Sequence, residues 1–354
     1  MSFNDIHGNS RAKNILSKGL NRDRVPNSLL LIGPEGVGKA ETALVLAKTL
    51  NCLNKKDDSC DECSNCRAIN SWNFPDLHVL APKDNHLRKR IEDEWGRGEV
   101  AVETEKKDLS SLAVENMRTL KQMAYLKPMV GRKRIFLIAE AETMRDEAAN
   151  TLLKILEEPP AFTHLILISQ NPYLILSTIK SRCQILTFSP VSREDIEKVL
   201  EGKGYEKSQA HLISLVVRGN LRKALNMNWE EIQAKRDLAW ELFNALVRGE
   251  NTADVVKNLS SSGGSFREEF AQSLEILSSF FRDLILIKNE GDPRFMLNPD
   301  YRDTIEGIAE SMTFDHALSG LKRVDYAIYA LQKKVNVNLL VSYLFSDLME
   351  WNHV

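Results

Sequence analysis

Leu29-Leu30-Leu31-Ile32-Gly33-Pro34-Glu35-Gly36-Val37-Gly38-Lys39-Ala40 is the stretch on which the reading turns. Four consecutive apolar residues read as a buried strand, and residues 41–50 carry apolar side chains at helical spacing. Between them, the glycine-rich turn fits G-x-x-x-x-G-K. Gly36 and Gly38 let backbone N–H groups close around a phosphate. The following helix N-terminus adds a favourable dipole, and Lys39 supplies a positive charge. At the last position a Ser or Thr hydroxyl is expected on magnesium, and Ala40 stands there instead. The expectation is a nucleotide pocket built from Gly33, Pro34, Glu35, Gly36, Val37, Gly38, Lys39 and Ala40, with its catalytic half lost. The alternative is a plain glycine turn between strand and helix.

Immediately downstream, Cys52, Cys60, Cys63 and Cys66 stand in the spacing C-x7-C-x2-C-x2-C, while Cys183 is alone. Two C-x2-C steps bring thiolates close enough to share a tetrahedral ion, and Cys52 completes a closed, structural four-thiolate site. Residues 1–10 are polar and mixed, unlike a signal peptide, and no apolar run reaches membrane-spanning length. A cytoplasmic chain is therefore expected, where clustered cysteines argue for metal over disulfides. Free reduced thiols are the alternative. His78 reads as a strand residue rather than a ligand, because the cysteines already fill a zinc shell.

Further apolar runs follow. Residues 135–140 end in Glu140, at the place where a P-loop enzyme holds magnesium and polarises water. Residues 163–169 and 183–188 are third and fourth strand candidates, and residues 112–126 and 147–156 have helical periodicity. Strands alternating with helices imply a parallel sheet covered on both faces. After Pro190 the pattern becomes helical, with breaks expected at Gly202 and Gly204, at residues 260–265 and at residues 291–299. A chain of 354 residues holds two or three domains, here expected at 1–190, 191–230 and 231–354. The net charge of -2 gives no global pull toward nucleic acid. Residues 83–110 are highly charged; Arg88-Lys89-Arg90 precedes Glu92-Asp93-Glu94. A solvated insertion is the reading, with a DNA-contacting loop as the alternative.

Taken together, these residues resemble the clamp-loader family of bacterial DNA polymerase III, within the AAA+ ATPases. The resemblance rests on the four-cysteine module after the P-loop helix, on Ala149-Asn150-Thr151-Leu152-Leu153-Lys154-Ile155-Leu156-Glu157-Glu158-Pro159-Pro160, and on Ser181-Arg182-Cys183. It implies an α/β AAA+ P-loop domain over 1–190, with a zinc module at about 52–66 and the charged insertion at about 83–110. A small helical lid domain over 191–230 and an all-α collar domain over 231–354 would follow.

Within that family, a motor type (gamma or tau) has an intact nucleotide site, and a delta-prime type has a degenerate one. This sequence is similar to the second. Ala40 replaces the hydroxyl. In the simplest register Ala139 replaces the metal-binding acid and Glu140 takes the water-polarising position; a one-residue shift would make Glu140 the metal ligand. Losing one electrostatic contact of this kind costs on the order of 3 kcal/mol, about a hundredfold in rate. Weak ATP or ADP binding survives more easily than hydrolysis, and magnesium is not expected to be held well.

The resemblance also assigns Arg182 as an arginine finger reaching in trans into a neighbour's nucleotide site, with a surface salt bridge as its alternative. Arg222, after Gly219, matches a phosphate sensor in cis. Ser169 and Gln170 fall near the family's first sensor, and Phe3, Asp5, Ile6 and Gly8 match the segment that packs on adenine. Implied partners are gamma/tau and delta subunits and, through the complex, the sliding clamp and primer-template DNA, with no membrane. An ATP-hydrolysing gamma/tau-type motor and a zinc-dependent nucleic-acid-binding module are the competing readings.

Overall fold

The computed structural model describes residues 2–54, 58–82, 85, 112–248, 266–333, 335, 336 and 340. The charged segment 83–110, apart from Asn85, lies outside the described residues, as do the break at 260–265 and most of 336–344. The chain divides into two compact units. One comprises Met1–Val199 with Arg218–Lys223, the other Leu200–Val217 with Ala224–Val354.

In the first unit the order is α1 (Ser10–Asn21), β1 (Ser28–Ile32), α2 (Lys39–Asn51), α3 (Ser64–Asn70), β2 (Leu77–Leu80), α4 (Val114–Ala124), β3 (Arg134–Ile138), α5 (Asp146–Glu157), β4 (Thr163–Ser169), α6 (Ser177–Lys180) and β5 (Gln184–Thr187). The strands form one parallel sheet in the order β2-β3-β4-β1-β5, with Leu30 opposite Leu167 and Ile185. β4 therefore lies between β1, which leads into the glycine-rich loop, and β3, which leads into Glu140.

Alternation along the strands explains why each reads as a continuous apolar run. Leu29, Leu31, Ile135, Leu137, Ile166 and Ile168 pack on one face with Leu16 of α1 and Ala43 and Leu46 of α2. Leu30, Ile32, Phe136, Ile138, Leu165 and Leu167 pack on the other with Met117 of α4 and Leu152 and Ile155 of α5. Both faces of the central strands β1, β3 and β4 are buried, as in parallel sheets generally, while edge strand β5 is largely exposed. Truncating Leu30, fully buried, to alanine would cost roughly 2–5 kcal/mol. α5 stops where Glu158 precedes Pro159, since the residue before proline is pushed out of helical conformation.

Asp76 fixes the entry to β3. It is fully buried and accepts the N–H groups of Met129, Val130 and Gly131, each at 2.8 Å, and Arg134 pairs with it at 3.1 Å. Burial works against the charge, but these donors hold its carboxyl below the usual range.

The remaining helices are α7 (Arg193–Gly202), α8 (Lys207–Val216), α9 (Leu221–Leu225), α10 (Trp229–Arg248), α11 (Phe266–Lys288), α12 (Arg302–Ser311) and α13 (Phe314–Gln332). α7 ends at Gly202, and the chain turns through Gly204, which has φ +95°, so the break falls at the two glycines where it was expected. The core of the second unit joins α10, α11, α12 and α13 through Phe243, Phe280, Phe281, Ile305 and Val324. Phe243 meets Phe281 edge-on at 5.1 Å between centroids. Buried Asp283 accepts the N–H groups of Leu297 and Asn298 at 2.7 Å, which ties the proline-containing connection to α11. Among the described residues, no helix is long and apolar enough to cross a membrane.

Candidate functional site

The loop between β1 and α2 has a conformation only its glycines permit. Gly36 has φ +71°, and a Cβ there would lie 1.7 Å from Asn220 Oδ1. Gly38, at φ +95°, is the N-cap of α2, so Lys39 begins the helix. Pro34 and Val37 shape the loop without lining the cleft: Val37 is buried, and its carbonyl accepts Asn9 Nδ2 at 3.1 Å. Lys39 folds back, with Nζ donating to the carbonyls of Gly33 (2.6 Å) and Pro34. Burial lowers its pKa to about 8, against the pull of Glu142.

The cleft is lined by Glu35, Gly36, Lys39, Ala40, Asn85, Ala139, Glu140, Ile168, Gln170 and Arg222. Ala40 and Ala139 line this cleft and carry only methyl side chains. Ala139 directly follows β3, its N–H donating to Leu80 O at 2.9 Å. Glu140 turns left-handed (φ 51°), and its Oε1 accepts from Asn85 Nδ2 at 2.6 Å. Arg222 reaches the loop from the chain's later segment. Its N–H donates to Gly36 O at 3.3 Å, and its Nη2 pairs with Glu41 at 2.6 Å. Phe3 and Ile6 are buried in the core beside α1 and α2, with Ile6 Cγ2 at 3.5 Å from where a Gly38 Cβ would lie. Ser169 closes β4 beneath the loop, its carbonyl accepting Gly33 N–H at 3.2 Å.

Two polar residues escaped the sequence reading. Glu142 Oε1 accepts Gln170 N–H at 2.9 Å, which joins the turn after β3 to the end of β4, and Asn85 holds Glu140. Local pattern gave no signal for either, because both partners are distant in sequence. A count of acids in Glu140-Ala141-Glu142 was the one available hint.

Arg182, just after α6, lies outside this cleft. Its Nε donates to Glu157 Oε1 at 2.7 Å, Nη2 bonds the same oxygen, and Nη1 donates to Thr178 O at 2.9 Å. About a third of the side chain is exposed (31%). Cys183 is half-buried against the apolar cluster of α4 and α5, and burial pushes its thiol up to about 12.

The Sγ atoms of Cys52, Cys60, Cys63 and Cys66 lie within 4.8 Å of one another. Tetrahedral zinc with bonds of about 2.3 Å needs sulfurs about 3.8 Å apart, so this donor set fits a metal ion. Cys60 Sγ accepts Cys63 N–H at 3.3 Å, and Cys63 Sγ accepts Cys66 N–H at 3.4 Å, contacts that favour thiolates. The module is anchored to α2: buried Lys48 pairs with Asp61, and Thr49 Oγ1 donates to Asp58 at 3.3 Å. Burial opposes the charge on Asp61, but Lys48 and Asn70 hold its pKa at about 2.

With this geometry in place, comparison with known proteins decides the family. The model described as "DNA polymerase III, delta subunit" matches residues 8–192, over half of the chain. The chain belongs to this family. The model "DNA polymerase III, delta subunit, C terminal" matches residues 231–352.

Relatives of this family member include DNA polymerase III subunit delta' of Bacillus subtilis, 27% identical over 96% of both chains. They also include DNA polymerase III subunit gamma of Buchnera aphidicola, 32% identical over 65% of this chain and 57% of that one. A crystal structure of a gamma subunit-related protein from Thermotoga maritima aligns over 95% of this chain and 98% of its own. That alignment has a TM-score of 0.43 and 13% identity. The family member is related to the delta', gamma and tau subunits of DNA polymerase III, and its five-stranded parallel sheet carries the glycine-rich turn after β1.

Proposed function

We propose that this chain is a delta-prime-type subunit that helps a clamp loader place the sliding clamp on primed DNA without hydrolysing ATP itself. The observation that carries the reading is the pairing of a formed phosphate loop, with Lys39 in place, with methyl groups at Ala40 and Ala139. Phosphoryl transfer depends on positioning and on neutralising the transferred charge, and magnesium does much of the second. Lys39 and the loop amides can still meet phosphate, so weak binding of ATP or ADP is compatible with no turnover.

In this reading Arg182 acts in trans on ATP held by an adjacent gamma/tau-type subunit. Its fixed fork of donors suits phosphate oxygens, and such a finger is worth roughly a thousandfold or more in rate. Residues 191–230 serve as a lid, and residues 231–354 as the collar that joins gamma/tau and delta partners. Zinc in the four-cysteine module is structural. Four thiolates leave no open coordination position, and the ion would brace the end of α2. A cleft between α4 and α5, lined by Arg118, Lys121, Gln122, Tyr125, Asn150, Thr151 and Lys154, supports contact with the DNA backbone, since it holds three cations and no acid.

Steady-state ATPase assay of the isolated chain with magnesium tests the proposal. No turnover above background is expected. Turnover at ordinary motor rates would favour the gamma/tau-type reading, which the 32% identity to a gamma subunit keeps in view.

A further inference from the structure

We infer that Glu41 is the residue that sets this cleft against nucleotide, by occupying Arg222 in the place of a phosphate. This inference deepens the reading of the cleft as a degenerate nucleotide site and rests on it. It does not follow from the missing metal ligands, because Ala40 and Ala139 weaken magnesium binding and leave the phosphate-binding cations untouched.

Both of those cations are engaged by the chain itself. Lys39 Nζ is bound by the carbonyls of Gly33 and Pro34. Arg222 Nη2 is 2.6 Å from Glu41 Oε1, and the two side chains are only 22% and 23% exposed. Arg222 is also fixed to the loop through its backbone N–H on Gly36 O. Its backbone is thereby held beside the loop, and its guanidinium is shared between Glu41 and any anion in the cleft. A nucleotide entering here has to break a partly desolvated ion pair before it gains that contact, and its apparent affinity drops by the fraction of molecules in which Arg222 is held.

The surrounding charge acts in the same direction. Glu35 and Glu140 line the cleft, Glu41 holds Arg222, and Glu142 lies close enough to raise the pKa of Lys39. Four carboxylates thus face two cations, and a nucleoside di- or triphosphate would add more negative charge. Glu41 also sits in the first turn of α2, where an acid stabilises the helix dipole. A role confined to the helix would not depend on Arg222, which separates the two explanations.

The test is calorimetric titration of the full chain with ADP and with ATP, in magnesium-free buffer at low salt. Wild type, Glu41→Gln, Arg222→Ala and the double variant are compared. Glu41→Gln keeps the size and removes the charge. The expected result is roughly fivefold or more tighter binding in Glu41→Gln, with the gain abolished when Arg222 is alanine. Thermal melting checks each fold, and Glu41→Ser serves as a second variant if Glu41→Gln melts early. Equal or weaker binding by folded Glu41 variants overturns the inference, as does no binding by any variant up to millimolar nucleotide. A gain that persists with Arg222→Ala also overturns it. Tight Mg·ATP binding with turnover by the wild type would instead overturn the degenerate-site reading; the ratio between variants still decides the role of Glu41.

Discussion

Arg182 and Glu157 meet across the end of α5, where two guanidinium nitrogens share one carboxylate oxygen. The pair is partly exposed, 31% and 48%, so it contributes little to the fold, within about 1 kcal/mol. Arg182→Ala is expected to melt within a few degrees of wild type by circular dichroism and to leave assembly with partner subunits intact. A large loss of stability would mean that the arginine is a structural brace.

Acid should weaken the P-loop unit through two histidines, one buried and one partly buried. His164 on β4 and His78 on β2 each have a pKa lowered to about 4, chiefly by burial. The unfolded chain takes up protons near pH 6.5 and the folded one does not until about 4. Their contribution is therefore unaffected above pH 6.5 and turns unfavourable as pH falls through that window. The loss is on the order of 2 kcal/mol per histidine by pH 5. Urea unfolding at pH 7 and pH 5 measures it, and the difference should shrink in His78→Leu.

Much of this architecture could be read locally. Residues 29–40 state strand, turn and helix in twelve positions because apolar run, glycines and lysine each have a separate physical cause. The four cysteines announced their convergence by spacing alone. What stayed hidden were pairings across long sequence separations. Nothing near Leu30 indicates that Leu167 lies beside it, and nothing near Arg182 indicates Glu157. Asn85 stands next to a segment whose charge dominates its neighbourhood, so its grip on Glu140 had no local sign.

Removing metal should loosen the module formed by Cys52, Cys60, Cys63 and Cys66. Elemental analysis of purified protein is expected to give close to one zinc per chain. A strong chelator should lower the melting temperature by several degrees or more, given the several kcal/mol that structural zinc contributes to small modules. Cys60→Ser with Cys63→Ser should reproduce the effect. A stoichiometry near zero would retire the assignment.

Neutralising the α4–α5 cleft should weaken DNA binding by the assembled complex. Each of Arg118→Ala, Lys121→Ala and Lys154→Ala is expected to reduce affinity for primed DNA without changing sequence preference. Each lost phosphate contact should lower the slope of log affinity against log salt by about 1. Fluorescence anisotropy across a salt series reads both effects, and unchanged slopes would move the DNA-facing surface elsewhere.

In the proposed role this subunit lends Arg182 to a neighbour's ATP while doing no hydrolysis of its own. The most direct measurement is DNA-stimulated ATP turnover by a complex reconstituted with Arg182→Ala, compared with wild type at equal assembly. A fall of at least tenfold at the affected site is expected, with intact complex by size-exclusion chromatography. Turnover identical to wild type in a fully assembled complex would contradict the account and leave Arg182 as a surface partner of Glu157.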